Sequence, residues 1–172
     1  MYVTDTETKL PIKIIKIVEA SVINNFPFPQ ADDINKIIIL LNMDEETLLS
    51  DNAFLGRFLG GITERQVSYY TSAMKYLGLI TAERKYTPHA VYMRELSTFN
   101  QNIELAKLLL TDPVLAKVYF MEKALATKLD RDDVIDVMRE YVDLRSENMY
   151  QRRSQTVMSW ISWINASFND KF

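Results

Sequence analysis

One segment constrains this chain more than any other: Ile62-Thr-Glu-Arg-Gln-Val-Ser-Tyr-Tyr-Thr-Ser-Ala-Met-Lys-Tyr-Leu-Gly-Leu-Ile80. Thr63, followed three residues later by Gln66, has the form of a capping box, in which each side chain satisfies a backbone N–H that a helix start leaves unpaired. Val67, Tyr70, Met74 and Leu77 then recur at i, i+3, i+7 and i+10, a single apolar stripe that has to be buried against other elements. Gly78 supplies the stop, because helices commonly end on a left-handed residue that glycine adopts without steric cost. The spacing predicts a helix over 66–77 with one face in a core and a polar N-terminal end in solvent.

The partners for that stripe are also legible. Residues 10–23 read as a first helix through Ile14, Ile15, Val18 and Val22, broken by Phe26-Pro-Phe-Pro29, and 31–43 as a second with Asp32 and Asp33 at its positive end. Ser50 or Asp51 caps a short helix through Phe54, Leu55 and Phe58, which Gly60-Gly61 ends. Beyond Gly78, Leu79-Ile80 and Ala90-Val-Tyr-Met93 read as extended segments around a polar stretch with two basic residues, a two-stranded hairpin with a charged tip. Helix, short helix, capped helix and hairpin is the order of a winged helix. The second half repeats the logic, with helices expected over 102–110, 114–125, 130–141 and 146–168. A shift of 90 residues sets Val157 on Val67 and Trp160 on Tyr70. The expected fold is therefore mainly α. It has two tandem helix-turn-helix units, residues 1–100 and 101–172, the first a winged helix with a short β-hairpin wing. With 4 Gly and 5 Pro in 172 residues, a turn-rich all-β fold is excluded.

Charge is informative through its distribution. The net is −3, but residues 61–100 carry five Lys/Arg against three Asp/Glu, and residues 145–172 four against two. The two acidic blocks lie elsewhere, so acidic and basic blocks alternate twice along the chain, in blocks small enough for chance to produce. The absence of cysteine rules out disulfides and thiolate metal sites and fits a reducing compartment. The polar, acidic first nine residues are no secretory signal, and the longest apolar run, Ile37 to Leu41, is far short of the ~18 residues of a membrane span. A cytoplasmic location without membrane contact is expected.

Recognition of DNA by such a helix needs polar groups at its N-terminal end and a core-anchored opposite face. Thr63, Arg65, Gln66, Ser68, Tyr69, Ser72 and Lys75 supply that set. Arg and Gln can pair with guanine and adenine edges, while Ser, Thr and Tyr suit phosphates. Arg84 and Lys85, at the hairpin tip, are placed for backbone or minor groove, and Arg152, Arg153, Gln155 and Thr156 form the equivalent set in the second unit. A capped amphipathic helix with a solvated polar face would look the same. Tyr69, Tyr70, Tyr76, Trp160 and Trp163 could stack on bases, but Tyr70 and Trp160 share the apolar stripes and belong to the core.

Catalysis finds less support. Glu83-Arg-Lys85 has the Glu-x-Lys form of many restriction nucleases, which need a second carboxylate to hold a divalent metal. The nearest upstream acids, Asp51 and Glu64, fall in helices or their caps, so the wing interpretation of this turn is preferred. His89, following Pro88, has no second histidine or cysteine with which to share a metal. No catalytic residue, metal or cofactor is expected.

Over 62–80, and again at Gln151-Arg-Arg-Ser-Gln-Thr-Val-Met-Ser-Trp-Ile-Ser-Trp163, the chain resembles a bacterial winged-helix family that accompanies restriction endonucleases and related defence proteins. The resemblance implies DNA recognition on behalf of a nuclease carried by another chain or domain. The partners it implies are double-stranded DNA and a nuclease or other defence protein; a second copy of the chain, forming a homodimer, is a further candidate. The rival is a protein-interaction adaptor on the same scaffold, in keeping with the acidic total.

Overall fold

A computed structural model describes residues 27–169. Its helices are α1 (Ile34–Asn42), α2 (Glu45–Leu48), α3 (Asn52–Phe58), α4 (Glu64–Tyr76), α5 (Pro88–Arg94), α6 (Thr98–Leu109), α7 (Pro113–Leu125), α8 (Arg131–Tyr141) and α9 (Glu147–Asn169). The helix expected over 10–23 lies outside the described residues. The described chain divides into two compact units, residues 27–102 and 103–169, with the division inside α6. Among the described residues no helix is long and apolar enough to cross a membrane.

In the first unit α4 packs against α1 and α3, and α1 also meets α5. The stripe Val67, Tyr70, Met74 and Leu77 is buried, together with Ile37, Leu40 and Leu41 of α1 and Leu55 of α3. Packing decides that α4 is a helix. Residues 67–72, Val-Ser-Tyr-Tyr-Thr-Ser, are all mediocre helix formers that cost together about 3 kcal/mol relative to alanine. Burial of Val67, Tyr70 and Met74 returns about 1.5–3 kcal/mol each. Both ends are fixed as the sequence predicts. The Thr63–Gln66 capping box forms at the start. At the end Gly78, at φ 65°, donates to the Lys75 carbonyl and Leu79 to that of Met74, the paired bonds of a Schellman stop.

The expected β-hairpin wing is absent: the described residues contain no β-strand, only an isolated bridge between Ile80 and Tyr86. Residues 90–93, expected as the second strand, lie in α5. The reason is local. Thr87 caps the helix by accepting from the Ala90 N–H, Pro88 occupies the first turn, where its missing N–H costs nothing, and Ala90 and Met93 are buried at i and i+3. Val91 and Tyr92, whose strand preference suggested β structure, are exposed on the outer side. The polar stretch at Asp44 likewise forms the single turn α2, capped by Asp44.

In the second unit α9 packs on both α7 and α8, and α7 also meets α8. Trp160, Val157 and Ile164 of α9 are fully buried, as are Val134 and Met138 of α8 and Leu115 of α7. Asp130 and Asp133 form a second capping box at the start of α8.

Candidate nucleic-acid interface

The side of α4 opposite its buried stripe carries Glu64, Arg65 and Ser72 exposed, with Ser68, Tyr69 and Lys75 half-buried beside them. Arg65 lies along the helix, its Nε donating to the Tyr69 Oη at 2.6 Å and its guanidinium 5.7 Å from the Tyr69 ring. Asp51 caps α3 and Thr63 caps α4, so the turn 59–63 joins two helices that pack together. Close packing there depends on Gly56, which is buried in α3. A Cβ at this position would stand 2.3 Å from the Ile62 carbonyl oxygen, while the Gly56 carbonyl accepts from Gly61 and Ile62.

Tyrosines tie this unit together from behind. Tyr86 places its hydroxyl 2.6 Å from the Leu40 carbonyl and 2.8 Å from that of Met43, at the C-terminal end of α1. Burial pushes this phenol up to about 12. Tyr70 donates to Asp32 at 3.2 Å, and burial followed by the Asp32 charge pushes its phenol above the ordinary range. Neither hydroxyl is available to a ligand.

Several residues expected to touch DNA are occupied otherwise. Thr63 and Gln66 form the cap, where the Gln66 Oε1 accepts from the Thr63 N–H at 3.0 Å, and both side chains stay exposed. Ser68 donates to the Glu64 carbonyl and accepts from Asn52 Nδ2 at 3.0 Å. Arg84 turns inward to Ser50 and Asn52, whereas Lys85 is exposed. In the second unit Arg152 is exposed, and Gln155 accepts from Arg131 at 3.0 Å. Arg153 is half-buried, and desolvation lowers its guanidinium from the ordinary value. Thr156 is fully buried, so it cannot reach DNA from this position. Of the expected set, Arg65, Tyr69, Ser72 and Lys75 share one face, and Arg152 stands on a different helix.

Glu83, in the turn after α4, is exposed, and its own backbone N–H followed by the Thr81 side chain holds its carboxyl below the usual value. Asp51 is committed to the Phe54 N–H. Among the described residues no three acidic or histidine side chains gather as a metal site. His89 stands exposed in the first turn of α5, not in a hairpin.

Sequence reasoning missed an exposed aromatic pair. Phe54 and Phe58, one turn apart on α3, are 38% and 59% exposed, with ring centroids 6.0 Å apart and Arg57 5.6 Å from the Phe54 ring. Of the three apolar residues on which the helix was expected, Leu55 alone is buried.

Residues 36–169 match the pattern of a family described as Domain of unknown function (DUF7226). No curated protein and no solved structure matches the chain.

Proposed function

The chain belongs to the DUF7226 family, and we propose that it binds double-stranded DNA through the exposed face of α4, without a wing. The observation that supports this is the one-sided distribution on α4. Arg65, Tyr69, Ser72 and Lys75 share the face opposite a buried stripe and follow a capped helix start. Two cations with hydroxyl donors between them suit phosphates and purine edges, and Arg57 and Lys85 are further exposed cations of the same unit. Chemistry on the DNA, in this proposal, is left to a partner nuclease or other defence protein.

The test is titration of duplex DNA of random sequence at increasing salt, followed by selection of preferred sites. Arg65→Ala and Lys75→Ala should each reduce the salt slope by about one and weaken binding. A parent chain that ignores duplex DNA at low salt overturns the proposal.

A second reading, a protein-docking module that engages another copy of the chain, is supported by exposed Phe54 and Phe58. Self-association seen by sedimentation and abolished by Phe58→Ser, in a chain indifferent to DNA, would favour it.

A further inference from the structure

Arg84 stands in the turn between α4 and α5 with φ 63°, a left-handed backbone that an arginine holds only when its surroundings impose it. The tight turn sets that backbone, with the Arg84 N–H donating to the Thr81 carbonyl at 3.0 Å and the Thr81 N–H to that of Lys85 at 2.8 Å, and the guanidinium is directed inward from it. Nη1 donates to the Ser50 carbonyl at 3.3 Å and Nη2 to Asn52 Oδ1 at 2.6 Å, contacts 34 and 32 residues away in the chain. Asn52, the first residue of α3, continues the connection: its Nδ2 donates to Ser68 Oγ on α4 at 3.0 Å and lies 3.4 Å from the Glu64 carbonyl. Three side chains thus run in series from a strained turn, through the start of α3, to the edge of the exposed face of α4.

We infer that Arg84 is a positioning residue and not a DNA contact. Its fork fixes Ser50 and Asn52, Asn52 fixes Ser68, and the start of α3 is thereby held against α4 in one arrangement. One feature requires arginine. The acceptors are a backbone carbonyl and a side-chain amide, reached together by a planar fork that the single ammonium of lysine cannot reproduce. The consequence for DNA affinity rests on the proposed function; the strut itself does not.

The experiment measures binding of random-sequence duplex DNA across a range of salt concentrations for the parent, Arg84→Lys, Asn52→Ala and the double variant. Arg84→Gly, whose backbone suits a positive φ, serves as the variant that loses the fork but relieves the strain. Each single substitution is expected to weaken binding about three- to tenfold at an unchanged salt slope, with the double variant no worse than Asn52→Ala alone. If Arg84→Lys binds like the parent and Arg84→Gly lowers the slope by about one, Arg84 is a phosphate contact and the inference is wrong. If the parent binds no DNA, the proposed function falls, and urea unfolding of the same four proteins decides the strut. Non-additive losses of stability at Arg84 and Asn52 support it, and additive ones overturn it.

Discussion

Helices α4 and α9 follow the same recipe and end in different circumstances. A shift of 90 residues superposes their apolar stripes, Val67 on Val157 and Tyr70 on Trp160, and all four are buried. The same shift sets Glu64, the first residue of α4, against Ser154, yet α9 has already begun at Glu147, seven positions earlier. The polar cluster that stands at a helix start in the first unit therefore lies inside a helix in the second. There the backbone N–H groups are already paired, Ser154 and Thr156 are fully buried, and Arg153 is half-desolvated. Where a polar cluster sits relative to the helix start, more than its composition, determines whether it can meet a ligand.

Four predictions test that contrast. The largest effect is expected in the second unit: Trp160→Ala removes the largest fully buried side chain and should cost about 3–5 kcal/mol in denaturant unfolding. A loss below about 1 kcal/mol would mean that α9 is not the core helix described here. In the first unit, Gly56→Ala drives a methyl into the Ile62 carbonyl and should cost about 1–3 kcal/mol, seen as a lower thermal midpoint by circular dichroism. It should weaken DNA binding as well, because the turn before α4 has to move.

Third, Arg152→Ala should leave the salt slope of DNA binding unchanged, whereas Arg65→Ala lowers it by about one. Equal effects would put the second unit on the DNA and erase the contrast.

The smallest effect concerns acid. Hydrogen bonds from the Thr47 hydroxyl and backbone N–H hold the Asp44 carboxyl below its usual value. A group depressed in the folded state stabilises above its unfolded pKa of about 3.9, and that contribution disappears as pH falls through the lower folded value. Unfolding midpoints should therefore drop between pH 5 and pH 3 by less in Asp44→Asn than in the parent. An identical drop would show that this cap is not formed.

Most helices were legible because their ends are chemically marked. Thr63, Gln66 and Gly78 delimit α4, Asp112-Pro113 opens α7, and Asp130 with Asp133 opens α8. The error at α5 came from weighing the β preference of Val91 and Tyr92 above the cap and proline of Thr87-Pro88. A helix start of that kind is the stronger local signal. The candidate site was half legible. The capping box that locates α4 also commits the Thr63 hydroxyl and the Gln66 Oε1 to the helix start, a consequence already contained in the sequence. The engagement of Arg84 was not, since its acceptors lie 34 and 32 residues away and only the folded chain brings them together.

Gln101 has a consequence for anyone who wants to cut this molecule in two. Its amide exchanges hydrogen bonds with Asn42 at 2.8 and 3.0 Å and donates to the Met93 carbonyl at 3.0 Å, and the side chain is 3% exposed. An N-terminal fragment stopped at residue 100, where the sequence suggests a boundary, would lose this latch and leave the Met93 carbonyl without that donor. One carried to Leu109, the end of α6, keeps it. Protease nicking within 95–97, the short link between α5 and α6, would still leave the latch joined to α6.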